Sequence, residues 1–143
     1  AQVLEMMKDL KQTYDMSMII ITHDLGIVAE VCDEVAVMYA GRIVEQGTLR
    51  DLFLNTMHPY TEGLFNSLPN INDRQAELLP IPGMMTDPTN LPTGCAFAPR
   101  CKYASDHCLV TPPELVAMSD THRVACVAYA DPTFSIDRRK KHG

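Results

Sequence analysis

The sequence predicts an α/β fold, partial in itself, followed by a small irregular cysteine-rich extension. Three observations predict it. An amphipathic helical stretch runs into an apolar ribbon, MSMIII, at residues 16–21. Two alternating stretches then flank Ala40-Gly41. Beyond a proline-punctuated segment, three cysteines fall within TGCAFAPRCKYASDHC, and a fourth follows in HRVACVAYA.

Each element has a local cause. Val3, Leu4, Met7, Leu10 and Tyr14 recur at helical spacing, with Glu5, Lys8, Asp9 and Lys11 between them, so residues 1–14 are expected to be a helix. Residues 17–22 are too apolar for a half-exposed strand and read as a strand buried on both faces. Such a strand needs parallel neighbours joined by crossover helices. The sequence supplies one such strand, so residues 1–56 are expected to be the C-terminal part of a larger α/β domain. A short helix is expected over Asp24–Cys32, turning Leu25, Val28 and Val31 inward. Val35–Tyr39 and Arg42–Gln46 read as a hairpin whose Gly41 supplies the positive φ of a tight turn. Thr48 and Asp51 nearly spell a capping box for a further helix. In HPYT, Pro59 suits a first helical position. Residues 57–92 are thus a helix followed by a linker marked by Pro69, Pro80, Pro82, Pro88 and Pro92. Residues 93–143 form the cysteine-rich extension, with Thr121–Ala130 as a last strand.

Composition narrows the function classes. The 143 residues suffice for one ordinary domain or two small ones. Net charge is −6 and basic residues are scattered apart from the RRKK near Gly143, which argues against a nucleic-acid partner. The longest apolar run is far below the roughly 20 residues that span a bilayer. With no charged leader or cleavage site, a cytosolic home is expected, and there clustered cysteines point to metal rather than disulfides.

His23 stands just past the carboxyl end of the expected buried strand, where open α/β sheets bind ligands. Spacing alone favours an ordinary loop histidine beside a cap supplied by Thr22 or Asp24. Cys95, Cys101, Cys108 and Cys126 are separated by five, six and seventeen residues. Structural zinc prefers ligand pairs two to four residues apart. Wider spacings suit the bulkier iron–sulfur core, so zinc is disfavoured and both remain open. Arg100 and Lys102 flank Cys101, and Arg123 precedes Cys126, so cations are expected to favour the thiolates. His107 and His122 are expected to be exposed, and Cys32 to be a small buried apolar residue.

The stretch IIITHDLGIVAEVCDEVAVMYAGRIVEQGT resembles the region after the Walker B motif in ATP-binding subunits of ABC transporters. Its THD is similar to their switch histidine, the H-loop. YAGRIVEQG, HPYT and the four-cysteine pattern resemble the dipeptide and oligopeptide importer branch, and the resemblance covers essentially the whole chain. It implies that residues 1–56 are the C-terminal remnant of an ABC-type P-loop ATPase domain. It implies that His23 contacts the γ-phosphate of ATP and orients the attacking water in the closed nucleotide sandwich. It implies that Cys95, Cys101, Cys108 and Cys126 hold a 4Fe–4S cluster, structural rather than catalytic. The implied partners are a second ATP-binding subunit, two membrane permeases and, indirectly, a peptide-binding protein. The resemblance places the protein at the inner face of the cell membrane.

The departures carry equal weight. No G-x-x-x-x-G-K-[ST] loop is present, nor the family's signature sequence, Q-loop or Walker B carboxylates. ATP and magnesium are therefore expected to bind only the full-length parent, and this fragment to be inactive. Peptide specificity lies with other subunits. The rival expectation is a free-standing metal-binding interaction module, with zinc or iron–sulfur and no ATPase function. Unpaired edges at residues 17–22 also predict self-association through strand pairing or exchange.

Overall fold

A computed structural model describes residues 2–67, 81, 83–84, 87 and 89–136. Helix α1 (Gln2–Tyr14) is followed by α2 (Leu25–Val31), strands β1 (Glu34–Tyr39) and β2 (Arg42–Thr48), and helices α3 (Leu49–Leu54) and α4 (Pro59–Asn66). Beyond these come a 3-10 turn at Ala98–Arg100, helix α5 (Asp106–Val110), strands β3 (Val116–Ala117) and β4 (Arg123–Val124), and a second 3-10 turn at Val127–Ala130. The result is a small α/β fold around one antiparallel sheet of four strands, ordered β1-β2-β4-β3.

The hairpin forms for the reason its sequence gives. Ala40 and Gly41 both take positive φ, at 50° and 82°, the left-handed pair that matches strand twist. Thr48 Oγ1 accepts the Asp51 N–H while Asp51 Oδ2 accepts the Thr48 N–H, each at 3.1 Å, completing the capping box of α3. Asp24 caps α2, its Oδ1 accepting from Gly26 and Ile27 at 2.9 and 3.3 Å. Pro59 occupies the first turn of α4, where a missing N–H costs nothing. Cys32 caps the C-terminal end of α2 and is half-buried rather than enclosed.

One core unites the hairpin and the cysteine-rich residues. Val37, Tyr39, Val44, Leu52 and Phe97 are buried together. Phe97 meets Tyr39 edge-on at 5.2 Å between centroids, and Tyr39 meets Tyr60 at 4.7 Å. The segment around Cys95 is thereby held by the same aromatic contacts that hold the hairpin.

Three expectations are corrected. Residues 17–22 form no strand and are not buried: Ile19 and Ile21 are 95% and 97% exposed. An apolar run reports a wish for burial, and no ladder partner for it exists among the described residues. The last strand is shorter than expected, because only Arg123 and Val124 pair with β2 before the backbone turns at Val127. His122 is 3% exposed rather than solvated, for a reason given below. Pro69, Pro80, Pro82, Pro88 and the RRKK run lie outside the described residues. No helix among the described residues is long and apolar enough to cross a membrane.

Candidate functional site: a cavity lined by four cysteines

The four cysteines that the sequence singles out converge. Cys95, Cys101, Cys108 and Cys126 line one small cavity of about 20 Å³, and all are free thiols. Phe97, Ala98 and Tyr103 complete one wall, Val127 and Ala128 a second, and His58 with Pro59 the third. The ligand candidates therefore come from either side of the 3-10 turn at Ala98–Arg100, from α5, and from the residue that precedes the turn at Val127–Ala130. His58 and Pro59 of the HPYT motif line the space from the start of α4.

Backbone geometry joins the segments that carry Cys95 and Cys108. The Cys95 N–H donates to the Cys108 carbonyl at 2.8 Å. Gly94 permits that approach, since a Cβ there would stand 2.2 Å from the same carbonyl oxygen. Backbone N–H groups also turn toward the sulfurs. The Tyr103 N–H lies 3.4 Å from Cys101 Sγ. Phe97 and Ala98 act in the same way on Cys95, and Ala128 on Cys126. Ser105 Oγ lies 3.5 Å from Cys108 Sγ. Donors aimed at sulfur stabilise thiolates when a metal is present.

The expected role of nearby cations is overturned. Burial pushes the Cys101 and Cys126 thiols up to about 11, with the neighbouring cysteines adding to the rise. Burial raises Cys95 as well. Arg100 reaches instead to the Tyr39 hydroxyl at 3.4 Å and the Ile81 carbonyl at 3.3 Å. Lys102 pairs with Glu62 at 3.1 Å. The basic residues adjacent in sequence are thus committed to carboxylate, hydroxyl and carbonyl partners around the cavity. Metal-free, burial holds Cys95, Cys101 and Cys126 as thiols at neutral pH.

No three His, Cys, Asp or Glu side chains among the described residues stand close enough to hold a single metal ion. The donor set that lines the cavity is uniformly soft.

Sequence reasoning missed the frame around this cavity. Glu45 on β2 is fully buried, and its carboxylate gathers three donors. The Met57 and His58 N–H groups donate to it at 2.9 and 2.8 Å, and His122 Nε2 lies 2.6 Å away. This pairing is why His122 is buried. Thr121 donates its hydroxyl to Asp51 at 2.7 Å, and the Tyr129 hydroxyl donates to the Met57 carbonyl. The Tyr103 hydroxyl donates to buried Glu62 at 3.0 Å. HPYTE was the available signal: its His, Thr and Glu are each only 1% exposed, although they read as the polar start of a helix.

His23 is a separate matter. It is exposed, stands in the loop before α2, and is not among the residues lining the cysteine cavity. The Asp24 N–H donates to Thr22 Oγ1 at 3.0 Å, so the residues on either side of His23 shape the turn. His107 is exposed, as expected.

Comparison with known proteins gives the class. Residues 44–108 match the family described as the oligopeptide/dipeptide transporter C-terminal region. The match runs from β2 through α3 and α4 to the third cysteine. The chain is a relative of the ATP-binding proteins of peptide transport. It is 49% identical over 92% of its length to the oligopeptide transport ATP-binding protein AppD of Bacillus subtilis. It is 45% identical over 88% of its length to OppD of Salmonella typhimurium, and 47% identical over 88% to the dipeptide transport protein DppD of Bacillus subtilis. The chain spans about 40% of the length of these relatives, from 37% to 40%.

Proposed function

We propose that the chain is the part of a peptide importer's ATP-hydrolysing subunit that carries the switch histidine and a cluster-bearing C-terminal region. Residues 1–56 belong on this reading to the nucleotide-binding domain, 57–92 to a helix and linker, and 93–143 to the cysteine-rich region. The work of the whole protein would be ATP-driven import of di- and oligopeptides at the inner face of the cell membrane. A second ATP-binding subunit and two permeases would be its partners, with a peptide-binding protein acting indirectly.

His23 would act in the assembled subunit as a donor toward the γ-phosphate, where charge develops during transfer. The phosphate-binding loop and magnesium ligands that such chemistry needs are absent from this sequence. The chain by itself would therefore neither bind nor hydrolyse ATP. Calorimetric titration with Mg-ATP is expected to give no heat of binding, and micromolar affinity would overturn that expectation.

Cys95, Cys101, Cys108 and Cys126 would hold a 4Fe–4S cluster. One observation supports this assignment: four thiols line a common cavity. The cluster would supply cross-linking of four chain positions, a structural role. Anaerobic purification followed by iron and sulfide analysis tests it. Four iron and four sulfide per chain, lost in Cys101→Ser, are expected; stoichiometric zinc without sulfide would replace the cluster with a single-ion site.

A further inference from the structure

We propose that Glu62 is a positioning residue of the cysteine site, holding Cys101 in place through the Tyr103 hydroxyl. This rests on the reading of Cys101 as a cluster ligand. Glu62 stands on α4, 41 positions before Tyr103, and is 1% exposed. Its carboxylate is engaged on both oxygens. The Tyr103 hydroxyl donates to them at 3.0 and 3.2 Å, and Lys102 Nζ reaches Oε1 at 3.1 Å. Two consecutive side chains, the pair directly after Cys101, thus end on one buried acid.

Tyr103 carries that hold to the sulfur. Its N–H lies 3.4 Å from Cys101 Sγ, and Tyr103 itself lines the cysteine cavity. The residue whose backbone points at the sulfur is therefore the residue whose side chain is fastened to α4. Ring contacts add a second restraint. Phe134 meets the Tyr103 ring edge-on at 5.4 Å between centroids, and the Tyr129 ring at 5.0 Å. Tyr129 follows Cys126 by three positions, and its hydroxyl donates to the Met57 carbonyl. The segments after Cys101 and Cys126 are thus both tied by tyrosine hydroxyls to α4 or the residues leading into it.

A buried carboxylate is costly to desolvate unless its oxygens find donors. Here the donors come from the two residues beside a ligand. Charge does not account for the placement. Burial and the neighbouring cysteines push the Cys101 thiol up to about 11, and the Glu62 charge adds to that rise. An acid that opposes the thiolate electrostatically serves the site through geometry. Protein groups that orient metal ligands without touching the metal commonly change affinity about 10–100-fold when removed.

The test separates geometry from charge and from general stability. Tyr103→Phe keeps the N–H and the ring but loses the bond to Glu62. Glu62→Leu removes both acceptor oxygens, whereas Glu62→Gln keeps one for the Tyr103 hydroxyl. Wild-type and variant chains are reconstituted anaerobically with ferrous iron and sulfide. Iron release to a chelator and the visible circular dichroism of the bound cluster are then measured. Wild type is also measured in enough urea to bring its metal-free stability down to that of each variant. The expected result is iron release about tenfold faster in Tyr103→Phe and Glu62→Leu than in the matched wild type. Their visible dichroism should change, and Glu62→Gln should stay close to wild type in both readouts. Release no faster than in the matched wild type, with an unchanged spectrum, would overturn the positioning role while leaving the cluster intact. Glu62→Gln releasing iron as fast as Glu62→Leu would make charge the cause and overturn it too. A wild-type chain that takes up no iron and sulfide would overturn the cluster assignment itself, and this inference with it.

Discussion

Gly94 shows how one missing methyl group decides a site. Any side chain there meets the Cys108 and Leu109 backbone, with three atoms inside 2.8 Å. Backbone cannot rotate away as a side chain can, so Gly94→Ala must part the strands of chain that carry Cys95 and Cys108. The expected outcome is destabilisation of about 1–3 kcal/mol in urea melts and loss of reconstituted iron and sulfide. His58 supplies a second residue-level expectation, for the metal-free chain. Burial lowers its pKa to about 4, well under the ordinary 6.5. Between those values the unfolded chain takes up a proton that the folded chain refuses. Stability that is fully present above pH 6.5 is therefore lost as pH falls toward 4. A drop of about 2 kcal/mol from pH 7 to pH 5 is expected from this group, read from urea midpoints. His58→Asn should flatten that slope.

At the scale of elements, what the sequence reveals is what neighbours in sequence decide. The Ala40-Gly41 turn, the Thr48–Asp51 box and Pro59 at the start of α4 all rest on contacts within four residues, and all were legible. The ribbon at residues 17–22 was not, because apolar character does not say whether a ladder partner exists. His122 was misread for the complementary reason. Its partner Glu45 lies 77 positions away, and nothing in either residue's surroundings announces the other. The four cysteines were legible as a set, since few soft ligands are clustered without purpose. Their framing by His58 and Glu62 was hidden, because polar residues at a helix start read as solvated, and that by Glu45 because a charged residue in a hairpin strand reads as facing water. The hairpin turn also carries an improvable flaw. Ala40 holds φ at 50°, a region that disfavours a Cβ. Ala40→Asn should raise stability by about 0.5–1 kcal/mol in thermal or urea melts, as Asn tolerates that conformation.

The whole molecule is packed unevenly. Phe97, Leu52 and Tyr39 knit the hairpin, α3 and the cysteine segment into one core, while α1 and the residues after it expose Val3, Tyr14, Ile19 and Ile21. Adjacent exposed apolar side chains of this size favour association. Sedimentation velocity at rising concentration is expected to show self-association, and Ile19→Lys with Ile21→Lys should suppress it. A monomer at every concentration, with both isoleucines in place, would contradict that expectation.

The order of strands in the sheet has a temporal consequence. Emerging from a ribosome, β1 and β2 can zip as soon as both are clear, but the neighbour of β2 is still unmade. Glu45 must wait for His122, 77 positions later, which at about 5–20 residues per second is roughly 4–15 seconds. Throughout that interval a bare strand margin and a buried-to-be carboxylate face solvent. The nascent hairpin therefore leaves open to solvent a strand edge and a carboxylate that the finished molecule covers.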